Sequence, residues 1–112
     1  MSSPLTIVRQ HGPTEWLATV DMLTGVLRVN GSRWDALKPA HRRFFELHEL
    51  AHYQTKNADE LLADRLAFAT FIQERHPARE AYNALATVLN PAVPEHRLRL
   101  DFMKRRAARH TA

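Results

Sequence analysis

The residues of this 112-residue chain best placed to do chemistry are a run of five, His48-Glu49-Leu50-Ala51-His52. On an α-helix, positions four apart stand one turn above each other and only about 40° apart around the axis. Both imidazoles then converge on one point, as a tetrahedral zinc ion requires of its ligands. Glu49 follows His48 by about 100°, beside the ion rather than on it. From there a carboxylate can take a proton from a metal-activated water and hand it to a leaving amine. The bland reading is a pair of satisfied core histidines. Against it, two histidines and a glutamate occupy a half-buried stripe where an ordinary helix prefers aliphatic residues.

Two histidines leave a metal too open, so a third ligand is expected. Glu60 follows His52 by eight residues and Asp64 follows one helical turn later. Carboxylates at i and i+4 repel on a bare helix, and a nearby cation reverses the sign. The functional reading gives Glu60 to the metal, with Asp64 accepting the second N–H of a ligand histidine, His48, and so fixing its tautomer. Two rivals stand beside it. Asp64 itself can be the third ligand. Alternatively, Asn57-x-x-Glu60 is a capping box that opens a helix, with Asp64 an ordinary surface acid beside Arg65.

Other candidates are weaker. His96 and Tyr82 could donate a hydrogen bond to the oxyanion of a tetrahedral intermediate, though each is more simply a packing or surface residue. His41 lies two turns before His48 on the same face and is expected to be solvated. His11, His76 and His110 carry no functional expectation. Trp16 and Trp34 read as core or sheet-cover residues.

The elements that must hold these groups can be read from pattern. Leu5–Arg9, Glu15–Asp21 and Gly25–Asn30 are short runs rich in Val, Ile, Leu, Thr and Trp, broken at Gly12-Pro13 and at Asn30-Gly31. They predict a small antiparallel sheet of two or three strands. From Ser32 the period becomes helical. Pro39 suits a first turn, and the helix carrying the histidines runs to about Tyr53. A polar break at Thr55-Lys56-Asn57 precedes a second helix from about Ala58 to Arg75. Its Leu61, Leu62, Leu66, Phe68, Ala69 and Ile72 keep a 3.6-residue period. A third helix runs from Pro77 to about Leu89, and a last one from about Glu95 to Ala108. The expected fold is α+β, with the metal held between the first two long helices.

Length and composition point to a single domain, residues 1–112. It divides into a β-rich part (1–31), a helical metal-binding part (32–95) and a basic C-terminal helix or tail (96–112). With no cysteine, disulfides and thiolate metal sites are excluded, and any metal depends on histidine and carboxylate. The longest apolar run, Leu66 to Ile72, is far shorter than a bilayer span. MSSPLTIVRQ lacks the pattern of a signal peptide, so a cytoplasmic protein without a membrane segment is expected. The net charge of +4 is uneven. Arg97, Arg99, Lys104, Arg105, Arg106 and Arg109 face a single acid, Asp101, in the last seventeen residues. Such a tail could touch nucleic acid or an acidic partner; a solvated helical end is the simpler reading. Phe102 is its lone aromatic, which argues against base stacking.

The H-E-x-x-H run followed by E-x-x-x-D resembles the gluzincins, the thermolysin-like zinc peptidases. More closely, Leu27–Phe68 is similar to the compact bacterial and phage metallopeptidases of the ImmA/IrrE type. The corresponding stretches are Val26–Asn30, Trp34–Leu37, Arg43–His52 and Glu60–Ala67. The resemblance implies a minimal zincin-like domain that hydrolyses peptide bonds in a peptide or protein substrate. It implies Zn2+ on His48, His52 and Glu60, Glu49 as general base, and Asp64 orienting a ligand histidine. Two departures stand out. The connection from His52 to Glu60 is shorter than in those families, so a tight turn must bring Glu60 back, and Ala51 replaces their frequent glycine. The alternative function is a structural or binding protein, within a phage or other assembly, that keeps zinc only as a staple. Edge-strand addition of an extended substrate to the N-terminal sheet is a further expectation.

Overall fold

The computed structural model describes residues 5–10 and 17–110. Its architecture is α+β, as the sequence pattern implies. Three strands, β1 (Thr6–Gln10), β2 (Ala18–Val20) and β3 (Val26–Asn30), precede five helices. These are α1 (Gly31–Ala36), α2 (Pro39–Thr55), α3 (Glu60–Gln73), α4 (Ala78–Val88) and α5 (Pro94–His110). The breaks expected at Gly12-Pro13, the start of the second strand at Glu15-Trp16, and His11 fall outside the described residues. Among the described residues no helix is long and apolar enough to cross a membrane.

The sheet is mixed, in the order β1-β3-β2. β2 and β3 form the expected antiparallel hairpin, with Ala18 opposite Val29 and Val20 opposite Leu27. β1 instead lies parallel to β3, Thr6 opposite Val26 and Gln10 opposite Asn30. Alternation of apolar and polar residues marks a strand equally in both directions, so the pattern that located β1 could not orient it. The hairpin is closed by Asp21, whose Oδ1 accepts from the N–H groups of Leu23 (2.8 Å) and Thr24 (3.1 Å). Gly25 completes the turn at φ +75°, and a Cβ there would come within 3.0 Å of the Tyr53 ring.

β3 is the strand that meets the core. Leu27 and Val29 are fully buried and pack with Phe44, Phe45 and Leu47 of α2, Phe68 and Phe71 of α3, Leu85 of α4, and Leu100 and Met103 of α5. Phe44 meets Phe71 edge to face at 5.6 Å, which ties α2 to α3. The chain passes directly from β3 into α1, where Asn30 accepts from the Arg33 N–H at 3.3 Å as N-cap. Pro39 opens α2 at a position where its missing N–H costs little.

Candidate metal centre

The short connection between α2 and α3 is what assembles the site. Lys56 ends α2 in the left-handed conformation (φ 53°). Asn57 Oδ1 then accepts from the Asp59 N–H at 2.8 Å. Asp59 Oδ1 caps α3, accepting from Leu61 N (2.9 Å) and Leu62 N (3.2 Å). The cap is therefore Asp59, not an Asn57–Glu60 box. Glu60, relieved of that duty, sits at the start of α3 with its side chain turned back toward α2.

Three ligand atoms converge there. His48 Nε2 and His52 Nε2 are 3.1 Å apart, and Glu60 Oε1 lies 2.5 Å from the latter and 3.3 Å from the former. Two surrounding contacts orient the rings. The Asn57 carbonyl accepts a 2.7 Å hydrogen bond from His52 Nδ1. His48 Nδ1 stands 2.8 Å from Asp64 Oδ1, an ion-pair contact that backs the ring. With both Nδ1 atoms turned to acceptors, each neutral ring presents its Nε2 lone pair inward. Two lone pairs and a carboxylate oxygen at these distances repel unless protons or a cation lie among them. A tetrahedral ion with bonds of about 2.0–2.1 Å spaces its ligands by roughly 3.3 Å. His48, His52 and Glu60 thus form a group that could hold a metal ion. Asp64 is not among its ligand atoms; it backs His48.

The electrostatics follow the same geometry. Burial pulls the His48 imidazolium down, but Asp64 and Glu60 outweigh it, and its pKa is raised to about 9. Glu60 holds His52 above the usual imidazole range against the opposing effect of burial. In return the two imidazoles, His48 first, hold the Glu60 carboxyl far below the ordinary carboxylate range. Glu49 behaves oppositely. Burial raises its pKa, with the His48 and His52 rings and the Val20 backbone N–H only partly opposing.

Asp64 is fully buried, not a surface acid beside Arg65. It is held by a residue that pattern reading assigned to the basic tail. Arg99 of α5 donates to Asp64 from Nε (2.7 Å) and Nη2 (3.0 Å), and from Nη1 to Glu60 Oε2 (3.2 Å). Arg99 is 9% exposed. It shares the inward face of α5 with Leu100, Met103 and Ala107, and that register was the signal available in the sequence. Of the other tail cations, Arg97 lies 3.7 Å from Asp101, and Lys104, Arg105 and Arg109 are exposed.

Two clefts open on the cluster. One, of about 380 Å³, is lined on its apolar side by Leu17, Phe45, Val88 and Leu89, and also by His48, Glu49, Glu60 and His96. The other, of about 260 Å³, runs past Thr19, Val20 and Met22 to Glu49, His52 and Glu60. Ala18 borders both. Backbone bonds from Asp21 N to Val26 O and from Asn30 N to Leu17 O set the ladder alternation. Leu17, Thr19 and Asp21 therefore bond inward to β3, whereas Ala18 and Val20 turn their N–H and C=O groups to the outer edge, over the clefts.

The remaining histidines and Tyr82 separate clearly. His96 Nδ1 accepts the Asn90 backbone N–H at 3.1 Å, which leaves the ring's proton on Nε2. Tyr82 lines a different cavity, with Arg79 and Lys104 at the α4–α5 seam, and neither cleft at the cluster. His41 is buried rather than solvated, its Nε2 3.4 Å from Glu80 Oε2, because α4 covers that turn of α2. His76 stacks on Phe71 at 4.5 Å. Trp34 is buried in the core, as expected.

Comparison with models of known protein families finds no match, and curated proteins and solved structures likewise offer no significant match to this chain. The functional reading therefore rests on these side chains alone.

Proposed function

We propose that this protein is a zinc metallopeptidase. The observation that carries the reading is the convergence of His48 Nε2, His52 Nε2 and Glu60 Oε1, with the half-buried Glu49 carboxylate beside them and the free edge of β2 above. A nitrogen and oxygen donor set of two imidazoles and one carboxylate, with no thiolate in the chain, matches catalytic zinc sites that keep a position open. The bound ion supplies Lewis acidity, lowering the pKa of water and polarising the scissile carbonyl.

The chain's own groups do the rest. Glu49, whose burial raises its pKa above the ordinary carboxylate value, accepts a proton from the attacking water. It then delivers that proton to the amine nitrogen as the C–N bond breaks. His96, carrying its proton on Nε2, faces the same cleft and donates to the carbonyl oxygen as charge develops there. The outward N–H and C=O groups of Ala18 and the outward C=O of Val20 pair with an extended peptide and lay it across both clefts, while the Val20 N–H stays with the Glu49 carboxylate.

The test combines metal analysis with Glu49→Gln. Purified protein should carry one zinc per chain, and the variant should keep it while cleavage of a peptide library falls by about 10²–10⁴-fold. Absence of stoichiometric metal sinks the proposal at its first step. A Glu49→Gln protein that cleaves like the parent leaves the metal as a staple between α2 and α3.

A further inference from the structure

The geometry points to Arg99 as the positioning residue of the metal centre: by bridging Asp64 and the outer oxygen of Glu60, it makes Glu60 a one-oxygen ligand and makes α5 part of the site. This rests on the metal-binding reading above but adds a role for the C-terminal helix that the ligand set by itself does not contain.

Three observations carry it. First, the two oxygens of Glu60 have different partners. Oε1 faces both histidines, while Oε2 accepts from Arg99 Nη1 at 3.2 Å. A carboxylate free to rotate can offer both oxygens to a cation, raising its coordination number and occupying the place that water needs. The guanidinium engages the second oxygen and holds it away. Second, the same guanidinium donates two bonds to Asp64 at 2.7 and 3.0 Å. Asp64 in turn stands 2.8 Å from His48 Nδ1. One planar fork therefore fixes the orientation of a carboxylate ligand and of a histidine ligand together, which an ammonium group with a single point of charge cannot do. Third, Glu60 is otherwise the loosest member of the cluster. Its side chain is 52% exposed, whereas those of His48 and His52 are 5% and 7% exposed. Arg99 supplies from α5 the restraint that burial does not.

The experiment compares the full-length parent with Arg99→Met, Arg99→Lys and Leu100→Ala, the last removing a core side chain from the same helix without touching the cluster. Zinc affinity is read by chelator competition, the visible spectrum of the Co2+-loaded protein reports coordination number, and thermal melts report stability. Arg99→Met should bind zinc about 10–100-fold more weakly. Its Co2+ absorption should weaken as Glu60 becomes two-oxygen and the site five-coordinate. Arg99→Lys, which keeps the charge facing Asp64 and so preserves the fold, should show the same spectral change with a smaller loss of affinity. Leu100→Ala should melt earlier yet bind zinc within about two-fold of the parent and keep its spectrum.

Parent-like affinity and spectrum in Arg99→Lys and Arg99→Met overturn the inference while leaving the peptidase reading intact. Equal loss of affinity in Leu100→Ala and Arg99→Met also overturns it, since the helix would then act only through stability. A parent that takes up neither Zn2+ nor Co2+ removes both readings.

Discussion

Asp64 offers the sharpest test of how the buried charges are held. Asp64→Leu removes a fully buried carboxylate that accepts two hydrogen bonds from a guanidinium itself only 9% exposed. It leaves Arg99 with the single 3.2 Å contact to Glu60. Breaking one side of a buried ion pair typically costs about 3–5 kcal/mol, because the surviving charge stays desolvated and uncompensated. A domain of this size has a total stability of about 5–15 kcal/mol, so the variant should remain folded but strongly weakened. At roughly 4 °C per kcal/mol, Tm should fall by about 12–20 °C. The double variant Asp64→Leu/Arg99→Met removes both charges and fills their place with apolar groups, which should recover all but about 1–2 kcal/mol. The residue of the loss is His48 Nδ1, left without its neighbour. Thermal melts in the presence of a chelator measure the parent, Asp64→Leu, Arg99→Met and the double variant. Asp64→Leu within 1 kcal/mol of the parent, or a double variant as unstable as the two single losses combined, would refute this account of the pair. Zinc affinity in the double variant should stay depressed although stability returns, which separates holding the fold from holding the ligands.

Other expectations can be checked on the same material. In the metal-free protein the His48 pKa is raised from its ordinary 6.5 to about 9. Its contribution to stability is therefore complete below pH 6.5 and is lost as pH rises through 9. Glu60, whose pKa is depressed, contributes above its ordinary 4.5 and loses that contribution as pH falls below it. Chelated protein should thus melt progressively earlier between pH 6.5 and 9. Zinc affinity should rise over the same window as the imidazoles give up protons to bind the ion. Calorimetry of zinc uptake at pH 7 in buffers of different ionisation enthalpy should show proton release, and a buffer-independent heat would contradict it. Ala18→Pro deletes an outward N–H at the edge of β2 without touching the ladder to β3; it should raise KM for an extended peptide by about 5–10-fold, the worth of one hydrogen bond, with kcat preserved. His96→Ala should lower kcat by about 10²-fold with zinc content unchanged, and an unaltered kcat would return His96 to the role of a cap on the Asn90 turn.

What the sequence disclosed and what it hid divide along a physical line. His48, Glu49, His52, Glu60 and Asp64 are linked by helical period and one short turn, so local geometry alone could bring four of their side chains together and set Glu49 beside them. The same locality located the helices to within a few residues. Arg99 lies 35 residues beyond Asp64. Its meeting with that carboxylate depends on how α5 docks, and its charge gave it the look of a solvated tail residue. The direction of β1 and the burial of His41 were hidden for the same reason, since each is decided by a neighbour remote in sequence. A buried mid-helix aspartate does carry a demand that can be read in advance: it requires a cation. Arg65, its sequence neighbour, is exposed, so that cation had to come from another element. Two basic residues of α5 lie within an otherwise apolar helical stripe, Arg99 and Arg106, two turns apart beside Leu100, Met103 and Ala107. Matching unpaired buried charges across helices, rather than totalling tail charge, narrows the partner of Asp64 to these two arginines, and the docking of α5 selects Arg99.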